Sequence, residues 1–206
     1  MHVENVVAVA LVGGLVVFLV GAAAWRMEYE LPLAEALPMI HGDRRRRAWI
    51  HLWMIPAMFV TSAGIAGFAS TVADDGAAAL AFMACVIYAL GAATWVVALT
   101  FRLTVVPWAA ERMVDDGHPP ASFPPLDRWA GSLYIVHMAS AYAAFAVLGV
   151  AVVLGRQLPS WVGWLGVAWG AGFLLGFVST RFAGPFNPPF IAHAYTAALG
   201  LALLSS

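Results

Sequence analysis

The sequence contains no lysine, a single cysteine and very little charge of either sign. All ten basic residues are arginine, and charged residues make up 10% of the 206-residue chain. A soluble domain usually carries about 25% charged residues, and one with so few could not cover its apolar surface with polar groups. The remainder of the chain is strongly apolar, with 63% hydrophobic residues and a mean hydropathy of +0.86. An all-α, polytopic membrane protein is therefore predicted.

The scarcity of cysteine and of charged residues also limits which bonds the chain can form and which partners it can bind. With Cys85 as the single cysteine, the chain cannot form an internal disulfide. A net charge of −1 argues against a nucleic-acid partner. The use of arginine without lysine, beside abundant alanine, glycine, valine and leucine, is typical of a GC-rich bacterial genome. The expected location is therefore a bacterial inner (plasma) membrane.

Long apolar runs predict a bundle of six membrane-spanning helices. The predicted spans are Val6–Trp25, Ala48–Thr71, Ala77–Thr104, Leu126–Leu154, Ser160–Thr180 and Pro188–Leu204. The first span has full bilayer length and follows no basic segment, so it is interpreted as a retained helix rather than a cleaved signal peptide. The third connection, Val105–Pro125, is predicted to be a long charged loop.

The arginines orient this bundle. Of the ten, only Arg156 falls in the second or fourth connection, which leaves nine in or beside the first, third and fifth connections. Cytoplasmic loops carry the excess of basic residues in membrane proteins. Both termini are therefore predicted to be extracytoplasmic.

The first connection combines a basic run with two prolines. Arg44–Arg47 is interpreted as a topogenic signal that rests on anionic headgroups, with binding of an anionic lipid or acidic partner as the alternative. Pro32 and Pro38 make one long helix unfavourable, so Met27–Ile40 is predicted to be a short interfacial segment.

Small residues predict close helix packing along the fifth span. The pairs Gly166/Gly170 and Gly172/Gly176 have the spacing that lets two helix backbones approach, although they could instead leave room for a flat cofactor. In the following loop, Asn187 is predicted to cap the sixth helix.

The fourth span carries a polar stripe near its middle. Tyr134, His137 and Ser140 share one helical face, and lipid cannot satisfy hydroxyl or imidazole groups, so this face should contact other helices. Two further histidines, His51 and His193, fall inside other spans. At about 1.5 Å per residue, His193 is about 8 Å and His137 about 15 Å from the cytoplasmic end of its span.

These polar groups allow two interpretations without a metal. They could line a cytoplasm-facing cavity for a small amphipathic or anionic molecule, with Arg102 attracting an anionic head. Alternatively, they could hydrogen-bond across helices and hold the bundle together. The predicted lining consists of Tyr134, His137, Ser140, His193, Thr196 and Arg102, with Trp95 and Tyr88 as apolar walls.

Two further interpretations use the histidines as ligands. A b-type haem could be held by His137 and His193, although each helix offers only one histidine. Zinc or copper could be held by His51, His137 and His193. Within the predicted spans the only carboxylate is Asp127, at the edge of the fourth, so neither a buried general base nor a catalytic triad is predicted.

The sequence thus favours a non-enzymatic protein that binds a small molecule or serves as an accessory subunit. The protein would lie in the lipid bilayer. Its partner would be another membrane protein or a second copy of the chain. A haem-binding redox protein is the alternative. A transporter is disfavoured because no repeat relates the two halves of the chain.

Overall fold

The computed structural model describes residues 2–182 and 189–205 of the chain, and within those ranges it contains helices and no strand. A 3-10 turn, Met27–Glu30, precedes the second helix. The helices are α1 (Val3–Ala22), α2 (Leu33–Gly42), α3 (Arg44–Thr71), α4 (Asp75–Asp116), α5 (Phe123–Gly155), α6 (Ser160–Ser179) and α7 (Pro189–Leu204).

Five of these helices, α1, α3, α4, α5 and α6, are long and apolar enough to cross a membrane. The expected all-helical architecture is therefore confirmed, and the five apolar helices are those of a multi-pass membrane protein. The last helix, α7, is also apolar but has only 16 residues in its described part. Position 188, where the sixth span was predicted to begin, and the predicted cap Asn187 lie outside the described residues.

The helices form a closed circuit around a common core. Helix α1 packs on α3 and α7, α3 packs on α4, and α4 packs along the length of α5. Helix α7 also touches α5, which closes the circuit, and α6 packs mainly along α5. Five helices, α1, α3, α4, α5 and α7, therefore surround one central region.

Glycines set the close approach of α5 and α6. A Cβ at Gly149 would lie 2.5 Å from the Gly163 carbonyl oxygen, and a Cβ at Gly170 would lie 2.5 Å from the Tyr142 carbonyl oxygen. Gly166 faces the Tyr195 side chain of α7. The predicted packing role is confirmed for the Gly166/Gly170 pair. Gly172, by contrast, faces open space.

Helix α4 is longer than the sequence predicted. It continues past Pro107 to Asp116, where a loop beginning at Val105 was predicted, and that prediction was wrong. The extension carries a buried apolar stripe of Val106, Ala109 and Ala110, and α2 packs against α4. Tertiary packing therefore outweighs the one backbone hydrogen bond that a proline removes. The helix ends at Gly117, whose positive φ of 76° favours glycine.

The other helix ends differ by a few residues from those predicted. The first connection breaks at Pro32, as expected, but α2 then runs through Pro38. Helix α3 begins at Arg44 rather than Ala48, so the arginine run forms its first turn. Helix α5 begins at Phe123, with prolines in its first turn, where they lose no helical hydrogen bond.

Candidate functional site: a buried histidine and aromatic cluster

Five side chains from four helices meet in the centre of the circuit. Phe18 comes from α1, Tyr88 and Trp95 from α4, His137 from α5 and His193 from α7. Trp95 is 5% exposed and the other four are 1% exposed or less. We call these five residues the core ring cluster.

The two histidine rings of the cluster are nearly parallel, and the Tyr88 ring stands edge-on to both. The centroids of His137 and His193 are 6.1 Å apart at an interplanar angle of 21°. His137 stacks on Trp95 at 4.5 Å, and His193 stacks on Phe18 at 5.6 Å. The histidines of α5 and α7, which the sequence could not place relative to each other, therefore converge.

His193 uses both of its ring nitrogens. Its Nδ1 lies 2.7 Å from the Pro189 carbonyl oxygen, which can only accept, so Nδ1 carries the proton. In the neutral ring Nε2 is then an acceptor, and the Tyr88 hydroxyl donates to it at 2.7 Å. The Thr196 hydroxyl donates to the His193 carbonyl oxygen at 2.7 Å. Tyr88 and His193 thus form a satisfied polar link between α4 and α7.

His137 lies beside this link without a hydrogen bond of its own. Among the described residues, neither of its ring nitrogens has a hydrogen-bond partner, although the side chain is 0% exposed. The backbone of Gly91 interacts with the ring without reaching hydrogen-bond geometry. A buried polar group left unsatisfied costs about 1–3 kcal/mol. His137 therefore retains an unused donor and an unused acceptor in an apolar, aromatic environment.

The other predicted site residues occupy the surroundings of the cluster. The Tyr134 ring packs on Trp95 at 5.6 Å. Ser140 packs against the backbone at Gly91. Arg102 forms a 2.9 Å ion pair with Asp127, so its charge is already balanced.

His51 is held within its own helix. Its Nδ1 donates to the Arg47 carbonyl oxygen at 2.7 Å. No group of three or more histidine, cysteine, aspartate or glutamate side chains is arranged to hold a metal ion in the part of the chain that the structure describes. The three-histidine arrangement of the metal hypothesis is therefore not formed by these residues.

A haem between His137 and His193 would require a local rearrangement. The nitrogen of His193 that faces the cluster, Nε2, already accepts from Tyr88. Trp95 and Phe18 occupy the ring faces of the two histidines. Binding of a haem iron by Nε2 of His193 would therefore need the Tyr88 hydroxyl to move away.

Two pockets lie at the surface, away from the cluster. One, of about 270 Å³, is bounded by α2, α3 and α4 and lined by His41, Arg44, Thr104, Pro107, Trp108 and Glu111. The other, of about 410 Å³, is apolar and lined by Ala66, Ala69, Ser70, Ala78, Phe82 and Cys85. Neither is lined by the core ring cluster, whose rings are buried and in contact with one another.

Sequence reasoning missed two residues. Phe18 has no polar group and was not distinguishable from other apolar residues of its helix. Arg47 was interpreted as one member of a topogenic run that rests on anionic headgroups, but it is 3% exposed, whereas Arg44, Arg45 and Arg46 are exposed. The available signal was the four-residue spacing from Arg47 to His51, which places both on one helical face.

Comparison of the chain with protein-family models, with curated protein sequences and with solved structures gave no match.

Proposed function

We propose that the chain is a membrane-embedded binding protein for a small amphipathic molecule, which acts alone or as an accessory subunit of a larger membrane assembly. The observation that carries the proposal is His137. This imidazole is fully buried with two unpartnered nitrogens, beside a histidine whose nitrogens are both engaged. A bound molecule that hydrogen-bonds His137 would remove the cost of leaving it unsatisfied.

The surroundings of His137 define the chemistry of the ligand. Trp95 and Phe18 offer ring faces for an apolar or aromatic body. The head group would be neutral and hydrogen-bonding rather than anionic, because Arg102 is paired with Asp127. His193 is oriented by a backbone carbonyl rather than by a carboxylate, which favours binding over proton-transfer catalysis.

Entry of a ligand would involve the contact between α5 and α7. These helices carry His137 and His193, yet they touch over a much smaller surface than α4 and α5 do. Separation of α5 from α7 would therefore open the cluster with little loss of packing. The close packing of the rings implies that the ligand displaces side chains as it binds.

Ligand retention tests this proposal. The full chain is purified in a mild detergent, and native mass spectrometry together with solvent extraction identifies any retained small molecule. We expect the parent protein to retain it, His137→Phe to lose it, and His118→Phe, which changes an exposed loop histidine, to keep it. A parent protein that retains nothing, or a His137→Phe variant that retains as much, would contradict the proposal. Co-purification of a second membrane protein in the same preparation would support the accessory role.

A b-type haem held by His137 and His193 is the second candidate, supported by the 6.1 Å separation and near-parallel rings of these histidines. The haem would supply one-electron redox chemistry, and Tyr88 would have to release Nε2 of His193. The absorption spectrum of the same preparation distinguishes the two candidates. A Soret band supports haem, and a colourless protein with a retained organic molecule supports the first proposal.

We further propose a six-span topology in a bacterial inner membrane, with both termini extracytoplasmic. The apolar composition of α7 supports a sixth span. The distribution of arginine, with only Arg156 between the second and third or the fourth and fifth predicted spans, supports the orientation. Homo-oligomerisation through the lipid-facing surface is compatible with this topology.

A further inference from the structure

Arg47 is a buried cation in the first turn of α3. It is 3% exposed, while the three arginines that precede it are exposed. Its Nε and Nη1 atoms, which carry N–H donors, have no hydrogen-bond partner within the described ranges. An arginine in this position has donors available and little access to water to satisfy them.

The neighbouring carboxylates are already engaged. Asp43 accepts from the Tyr29 hydroxyl at 3.0 Å and pairs with Arg26 at 2.9 Å. Asp127 pairs with Arg102 at 2.9 Å. Over the residues that the structure describes, Arg47 forms no ion pair. The guanidinium therefore has no protein counter-charge in contact with it.

Two aromatic rings enclose the guanidinium but do not balance its charge. Its central carbon lies 4.5 Å from the centroid of the Tyr29 ring and 5.5 Å from that of Trp25. A desolvated cation–π contact offsets only part of the free-energy cost of removing a cation from water. An oxyanion would supply both the missing charge and the missing hydrogen-bond acceptors.

The position of Arg47 favours a phosphate over other oxyanions. It stands at the start of a helix that is long enough to cross a membrane. The ends of such helices lie at the level of the lipid phosphates. The three exposed arginines beside it would raise the local concentration of anions. The N-terminus of α3 carries positive partial charge, and Asp43 makes no side-chain cap there because its carboxylate bonds Tyr29 and Arg26.

We propose that Arg47, enclosed by Trp25 and Tyr29 at the start of α3, binds an anionic phosphate group. The phosphate belongs either to the headgroup of an anionic lipid or to a free phosphate in solution. This site is separate from the core ring cluster and does not depend on the function proposed for it.

Thermal unfolding of the full chain in neutral detergent tests the site with defined probes. The probes are inorganic phosphate, short-chain phosphatidylglycerol and, as the zwitterionic reference, short-chain phosphatidylcholine. A ligand that binds only the folded protein should raise Tm by about 3–6 °C for each tenfold increase above its Kd. A rise with phosphatidylglycerol alone identifies a lipid headgroup, and a rise with inorganic phosphate identifies a free anion.

Matched arginine variants assign the effect to Arg47. We expect Arg47→Gln to abolish the rise and Arg46→Gln, which changes an exposed member of the same turn, to retain it. His137→Phe should also retain it, which separates this site from the core ring cluster. No rise with any probe, an equal rise with phosphatidylcholine, or an unchanged rise in Arg47→Gln would overturn the proposal.

A charge-conserving variant keeps the test decisive if Arg47→Gln does not fold. Arg47→Lys retains the positive charge but loses the planar fork that binds two phosphate oxygens at once. We expect its affinity for the active probe to fall at least tenfold. Unchanged affinity would overturn the assignment of Arg47 as the phosphate ligand.

Discussion

At the scale of single residues, the two core histidines differ in what their substitution should do. His193 accepts a hydrogen bond from Tyr88, whereas His137 has no partner among the described side chains and backbone groups. Removing one member of a buried hydrogen bond leaves the other unsatisfied, but replacing an already unsatisfied group by an apolar one of similar shape costs little. The stability of the ligand-free protein should therefore distinguish a structural histidine from a functional one.

We predict that Tyr88→Phe lowers the free energy of unfolding by about 1–3 kcal/mol, because Nε2 of His193 loses its donor. His137→Phe should be close to neutral in the ligand-free protein. The double variant Tyr88→Phe/His193→Phe should be less destabilised than the sum of its single variants, since both partners are then removed. Detergent-induced unfolding followed by tryptophan fluorescence measures all four. Equal losses for Tyr88→Phe and His137→Phe would mean that His137 is held by a bond the structure does not contain.

The residues of the core ring cluster were only partly predictable from the sequence. Tyr88, Trp95, His137 and His193 were identified because polar or amphipathic groups inside apolar spans need partners. Their convergence depends on packing between helices that are distant in sequence, which no local pattern encodes. Arg47 was hidden because four successive arginines point in directions about 100° apart on a helix, and only one of them faces the core.

At the scale of the helix, glycines decide how closely α6 approaches α5. Gly170 lies against the backbone of α5 at Tyr142 and Ala146, whereas Gly172 faces open space on the same helix. A glycine-to-alanine substitution can therefore be compared at a packed and at an open position of one helix. The change in helix propensity is the same at both positions.

We predict that Gly170→Ala destabilises the protein by about 1–3 kcal/mol, the usual cost of overpacking a fitted contact. Gly172→Ala should be neutral or slightly stabilising, because alanine is the better helix former by about 1 kcal/mol. The midpoint of thermal unfolding in detergent measures both variants. A Gly170→Ala variant as stable as Gly172→Ala would show that α5 and α6 are less closely packed than the structure indicates.

Helix ends were less predictable than helix faces. The sequence placed the end of the third predicted span at Thr104, just after the charged Arg102 and shortly before Pro107. The helix nevertheless continues to Asp116 because its apolar stripe meets α2. Packing, rather than the first charged residue or proline, therefore decides where this helix ends. For the same reason the arginine run forms the first turn of α3 rather than a loop before it.

At the scale of the whole molecule, most of the charges are gathered at one end of the bundle. The ion pairs Arg26–Asp43 and Arg102–Asp127 connect segments that are far apart in sequence. Arg112 and Arg128 lie on the parts of α4 and α5 that meet at this same end. These charges were visible in the sequence as the asymmetry of arginine between alternate connections, which is why the orientation of the predicted spans could be proposed without a fold.

The proposed orientation places the start of α4 on the extracytoplasmic side of the membrane and its end in the cytoplasm. Asp75 and Asp115 are exposed residues at these two ends of the same helix, so the same substitution reports on both sides. In a Cys85→Ser background, we predict that a membrane-impermeant maleimide labels Asp75→Cys in intact cells and labels Asp115→Cys only after permeabilisation. The reverse pattern would place both termini in the cytoplasm. Labelling of both cysteines in intact cells would mean that α4 does not cross the membrane, and the six-span topology would then be wrong.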